Sequence, residues 1–190
     1  MIPVETIEKN KKSYYSAAKA YKVCELELVD KLADMGLFDT PASTMLSLHN
    51  AFPGGLVDHL LRVTSYAVKI NDMLPDTLKQ PKESVVKVSL LHSIGKIGLY
   101  SLCKSEWHIK NQGKMYEFNE DLTSMTIGER SVYYIMSNGF ANILSDIEYQ
   151  AILNHDKGSS DKMSEWHTSS LGEVLKMAIK MAIMEEKSKK

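Results

Sequence analysis

Apolar residues recur at helical spacing along most of this chain, and the strand signal is weak throughout. Ala17, Ala18, Ala20, Val23, Cys24, Leu26, Leu28, Val29 and Leu32 predict one helix over 5–36, with Gly36 where a C-terminal glycine would release it. "FDTPAS" breaks the pattern at Pro41, and the short apolar segment "MLSLHNAF" runs into the turn Pro53-Gly54-Gly55. "LVDHLLRVTSYAVKINDML" is strongly periodic and predicts the next helix, followed by a loop carrying Pro75 and Pro81. From Ser84, "VVKVSLLHSIGKIG" predicts an apolar helix stopped by its glycines. Residues 101–123, with Trp107, His108, Asn111, Gly113 and Tyr116, read as a loop or short hairpin. Helices follow over "TIGERSVYYIMSNG", over "SDIEYQAILNH" with Ser145 and Glu148 in capping-box spacing, and over "LGEVLKMAIKMAIMEE" after the polar loop "DKGSSDKMSEWHTSS". The predicted class is all-α. A single domain spans 1–190, with an N-terminal helix in 1–40, a core in 44–185 and a frayed tail at 186–190.

Composition narrows this picture only slightly. At 190 residues the chain is long enough to bury a sizeable core, and 44% hydrophobic with 25% charged residues is ordinary for a globular protein. A formal net charge of −1 gives no global field toward nucleic acid or an anionic membrane. No apolar run approaches the roughly 20 residues that span a bilayer, and "MIPVETIEKNKKSYY" lacks a signal-peptide core. Cys24 and Cys103 have no metal-site spacing and read as reduced core thiols, so a cytoplasmic setting and no membrane partner are expected.

Candidate chemistry enters with the histidines. Of six, His59, His92 and His155 fall inside or at the ends of predicted helices in apolar company. Imidazoles from separate helices can converge on a divalent metal in a bundle core. "HNAFPGGLVDHLLRV" followed by "SLLHSIGKIG" resembles the HD-domain superfamily of metal-dependent phosphohydrolases, in particular its small bacterial and phage members. "GERSVYYIMSNG" and "EYQAILNHDKG" extend the likeness over roughly 44–185. It implies an HD-domain-like helical bundle.

The resemblance also implies roles. His59 and His92 match metal-binding histidines, Lys96 matches a lysine near phosphate, and His155 matches a later site-lining histidine. Ser93 stands where the family has its bridging aspartate. Ile179 or Lys180 stands where the last core helix would carry its closing aspartate. Two carboxylates are thus expected to be missing, and with them the charge that offsets a divalent ion. Lys180 would then offer a fixed positive charge to an anionic ligand in the metal's place. Asp156 and Asp58 are the nearby acids. Asp58 is turned about 100° from His59 on a helix, and Asp156 sits at a helix end.

Arg62 and Arg130 are candidate phosphate ligands through the guanidinium fork, and Ile127-Gly128 marks a tight helix start whose N–H groups favour anions. Trp107, His108 and Tyr116 offer base stacking or loop packing. The eleven methionines are expected in the core or an oligomer interface. The sequence favours a degenerate HD-like protein that binds a nucleotide or other phosphorylated ligand through His59, Arg62, His92, Ser93, Lys96, Arg130, His155 and Lys180, with no metal and no ordinary hydrolysis. Two alternatives stay open. One is an active nucleotide phosphohydrolase holding Mn, Ni, Zn or Mg on His59, His92, His155 and Asp156. The other is a protein-interaction module, with a protein partner or a homo-oligomer.

Overall fold

The structure, a computed structural model, describes residues 3–23, 26–157 and 169–188. Helices dominate: α1 (Val4–Ala20), α2 (Leu26–Asp34), α3 (Gly55–Met73), α4 (Lys82–Leu91), α5 (Glu106–Gln112), α6 (Ile127–Ser137), α7 (Asp146–Asn154) and α8 (Ser170–Ser188). One antiparallel pair, β1 (Tyr100–Leu102) with β2 (Tyr116–Phe118), joins Ser101 to Glu117 at its centre. The all-α expectation holds apart from this small sheet, which takes the hairpin of the two alternatives for 101–123 and starts one residue earlier, at Tyr100. Its connection also contains α5, started by the Ser105 cap and closed by Gly113 at φ 62°.

α3 is the central element, packed against α1, α4 and α8, while α7 bridges α6 and α8. Leu56, Leu60, Val63 and Ala67 recur on its buried face and meet Val85, Leu90 and Leu91 of α4. Leu171, Val174, Leu175, Ala178 and Ala182 of α8 complete the core. Each large aliphatic side chain buried in this way contributes about 2 kcal/mol.

Three predicted boundaries move. The single helix over 5–36 is two, because Lys22 takes φ 47° and the Val23 N–H turns back to the Ala18 carbonyl at 3.0 Å. Separate axes let Tyr14 and Ala18 face one part of the core and Leu28, Val29 and Leu32 another. α4 stops at Leu91, before the glycines, and a 3-10 turn over Ile94–Lys96 follows. The cause is contact with α6, since a Cβ on Gly95 would lie 2.4 Å from the Ile127 carbonyl oxygen. Finally, 186–190 is not a frayed tail as far as it is described: α8 continues to Ser188 and Glu186 is buried.

Met177, Met181 and Met184 of α8 are exposed and do not fill the core. Cys103 is a buried free thiol, whereas Cys24 and most of the polar loop 156–170 lie outside the described residues. Among the described residues no helix is long and apolar enough to cross a membrane.

Candidate functional site

The Gly-Gly turn sets the first part of the site. Gly54 has φ 77°, and a Cβ on Gly55 would fall 2.2 Å from the Asn50 carbonyl oxygen, so only glycine lets α3 start against the loop before it. Asn50, itself at φ 47°, donates through Nδ2 to the Gly55 carbonyl at 3.3 Å and to Asp58 Oδ2 at 2.9 Å. This packing lays His49 against His59, with ring centroids 4.9 Å apart.

The other imidazoles continue a row through the interior. His59 and His92 have centroids 5.8 Å apart, and His92 and His155 4.8 Å apart. His92 ends α4 and places Nδ1 2.9 Å from the Ser89 carbonyl, while His155 ends α7 with Nδ1 2.7 Å from the Ile152 carbonyl. Both contacts make Nδ1 the protonated nitrogen and leave the Nε2 lone pair available. His92 is fully buried and its Nε2 has no hydrogen-bond partner among the described residues, an arrangement that costs about 1–3 kcal/mol unless a ligand or ion meets it. The Nε2 of His155 lies 3.4 Å from the Ser93 hydroxyl.

A carboxylate completes the row. Glu186, 127 residues after His59, sits with its two oxygens 3.0 and 3.1 Å from His59 Nδ1. One ligand atom each from His49, His59 and Glu186 lies within 4.8 Å of the others, close enough to gather around one metal ion. At the rim, Arg62 binds Glu185 at 2.6 Å and Asp58 at 3.0 Å and brings its Nε within 3.4 Å of Glu186.

Burial opposes the charged form of His59, His92, His155, Lys96 and Glu186. It holds His59 and His92 well below the ordinary imidazole range, helped by Lys96 at His59 and by the neighbouring imidazoles at His92. His155 is also lowered by burial, against the opposing charge of Asp156. Burial pushes Glu186 up to about 8 against the pull of Arg62, and brings Lys96 down to about 8 against Glu186 and Asp156. Desolvation therefore outweighs the Coulomb attraction that would charge the His59–Glu186 pair. The Lys96 ammonium is buried and donates to the Ala42 carbonyl at 2.7 Å. Such a pocket presents neutral imidazoles, competent as metal ligands, around one carboxyl group that a divalent cation would deprotonate.

The structure thus brings His59, His92, Ser93, Lys96 and His155 together and places Arg62 at their edge. Three predicted site residues fall elsewhere. Lys180 is exposed on the outer face of α8, because the buried stripe of that helix passes through Ala178 and Ala182 instead. Arg130 is buried, but its guanidinium donates to the Thr123 carbonyl and so serves the loop before α6. Asp156 is exposed and spends its Oδ2 on the N–H groups of Ile127 at 2.9 Å and Gly128 at 3.3 Å. The anion expected at that helix start is therefore the chain's own carboxylate, which caps α6. Gly128 lets the two helices meet there, since a Cβ would lie 2.5 Å from the Leu153 carbonyl oxygen.

Two residues of the site were not read as such from the sequence, His49 and Glu186. Glu186 had a visible signal: it lies four residues after Ala182 and eight after Ala178, in phase with the buried stripe of α8. His49 had none beyond its nearness to the Gly-Gly turn. No protein-family model, no curated protein and no solved structure matches the chain.

Proposed function

We propose that this chain is an HD-like phosphohydrolase with an altered ligand set, holding one divalent ion on His49, His59 and Glu186 and acting on a small phosphorylated ligand such as a nucleotide. The observation that carries the reading is Glu186, a buried carboxyl group touching His59 on both oxygens. Two missing carboxylates were the reason to expect no metal, and Glu186 supplies one of them from two turns below Ile179. The HD-like frame belongs to the same reading: histidines from α3 and the end of α4, then an acid from the last helix, follow the order that the resemblance implies.

The donor set fits a borderline ion. Two imidazoles with one carboxylate suit Zn, Ni or Mn better than Mg, which prefers oxygen ligands and retained water. A metal bound there would polarise a phosphoryl oxygen and lower the pKa of a coordinated water. The chain's own residues do the rest. Lys96 places a buried positive charge where a phosphate would need one, Arg62 offers a second cation at the rim, and His92 presents an unpartnered Nε2 in the same interior. The loop before α3 contributes the Ala42 carbonyl, which holds Lys96, and His49, which packs on His59.

The test uses the full chain, titrated calorimetrically with Zn, Ni and Mn after chelation and checked by elemental analysis. We expect one equivalent bound, affinity lowered at least about 100-fold in Glu186→Gln, and metal-dependent release of phosphate from nucleotides or p-nitrophenyl phosphate. Failure to bind any of the three ions, or binding indifferent to Glu186→Gln, overturns the reading. A second reading, a metal-free binder of a phosphorylated ligand, is favoured by the buried Lys96 and by a serine in place of the bridging acid. A nucleotide-induced rise in melting temperature in protein that takes up no metal would support it.

A further inference from the structure

Ser93 occupies the position where the resembled family has an acid, and the reading above gives it no task. Its surroundings do. The Ser93 hydroxyl lies 3.4 Å from His155 Nε2. His155 Nδ1 is tied to the Ile152 carbonyl at 2.7 Å, which fixes the proton on Nδ1 and points the basic lone pair of Nε2 at the serine. A nucleophile, a base and a group orienting the base thus stand in sequence, the arrangement by which a hydroxyl is activated.

A plain capping role does not account for the serine. Ser93 is the residue before the 3-10 turn over Ile94–Lys96, yet its side chain makes no capping bond to that turn. One turn on, the buried Lys96 donates to the Ala42 carbonyl at 2.7 Å, and its charge is felt at both His59 and His155. A 3.4 Å separation is long for a working proton transfer, and such contacts tighten when substrate binds.

We propose that Ser93 and His155 form a nucleophile–base pair that takes a phosphoryl group from the bound ligand onto the serine oxygen. The proposal rests on the reading above only in taking a phosphorylated ligand. In the first step the Ser93 hydroxyl proton passes to His155 Nε2, the Oγ–P bond forms and the bond from phosphorus to the departing alkoxide breaks. The alkoxide leaves with the proton that His155 has just accepted. In the second step His155 takes a proton from water, the water oxygen bonds to phosphorus, the Oγ–P bond breaks, and Ser93 Oγ recovers the proton as inorganic phosphate departs. No oxidant or reductant enters either step.

The test treats the full chain, stripped of metal with a chelator, with a small fluorophosphonate. Attack by Ser93 expels fluoride and leaves a phosphonylated serine, which intact mass and peptide mapping can locate. We expect one adduct per chain at Ser93, none in Ser93→Ala, and a rate at least about 100-fold slower in His155→Gln, with circular dichroism confirming that each variant is folded. Ser93→Cys guards against a misfolded alanine variant: it should keep the fold and react with iodoacetamide faster than Cys103 does. Absence of an adduct, an adduct on another hydroxyl, or a rate indifferent to His155→Gln overturns the proposal. An adduct in protein that binds no metal sinks the metal site and leaves the pair standing. Bound metal without an adduct does the reverse.

Discussion

The two ends of the histidine row are chemically unlike. At one end His49 and His59 meet Glu186, and Arg62 spreads its charge over Asp58, Glu185 and Glu186. At the other, His155 meets the hydroxyl of Ser93, and the nearest acid, Asp156, is turned away to cap α6. The rings are alike; what differs is the group each can deliver a proton to or share an ion with. On the two proposals, the imidazole beside a buried carboxyl group would ligate a metal, whereas the one beside a hydroxyl, with its other nitrogen tied to a carbonyl, would act as a base. On that reading the row divides its work by neighbour, not by residue type.

The largest effect that would break this division is on metal affinity. His59→Ala should lower zinc affinity more than about 100-fold, while His155→Ala should leave it unchanged within error, both read by calorimetry on chelator-treated protein. Equal losses would make the row a single site with no chemical polarity. A smaller effect concerns stability against pH, measured by urea unfolding without metal. Glu186 titrates near 8 in the folded chain and near its ordinary 4.5 when unfolded. Between those values the native state binds the proton that the unfolded state has released, so the Glu186 contribution to stability falls as pH rises through that window and is constant above it. Glu186→Gln removes the slope. His59 and His92 act with the opposite sign below about 6.5, but they are present in both proteins and cancel in the difference. No comparable slope should vanish in Ser93→Ala, because a hydroxyl does not titrate there. The smallest effect is at the cap: Asp156→Ala should cost about 1 kcal/mol of stability and leave metal binding intact. Loss of metal in that variant would return Asp156 to the ligand set.

Much of the fold could be read in advance because it depends on local periodicity. The stripes of α3 and α8 and the Ser145 capping box announced themselves, and the hairpin was one of two readings of 101–123. Errors arose where a tertiary contact overrode the pattern. Gly95 against α6 ends the fourth helix early, and the turn at Lys22 splits the first. The clustering was legible in part. His59, His92 and His155 stood out because each lies in an apolar helix or at its end, while Lys96 entered only through the resemblance. Glu186 was missed because its neighbours "MEEKSKK" look solvated, and an acid there belongs to a core stripe only if the helix keeps its phase to the end. Lys180 failed on phase alone: it lies two residues from both Ala178 and Ala182 and so faces away from that stripe.

The link between His59 and Glu186 also has a topological consequence. It joins positions 127 residues apart, a loop whose closure is entropically costly and which forms late relative to local helix contacts. The acid end of the pocket is therefore assembled only when α3 has docked and α8 is wound through its final turns, whereas Ser93 and His155 are joined across the shorter span of 62 residues. A chain cut short before residue 186 would keep most of its core and the serine pair while lacking the carboxylate. In kinetic terms the acid end reports completion: it exists only in molecules that have folded from α3 through the last turns of α8.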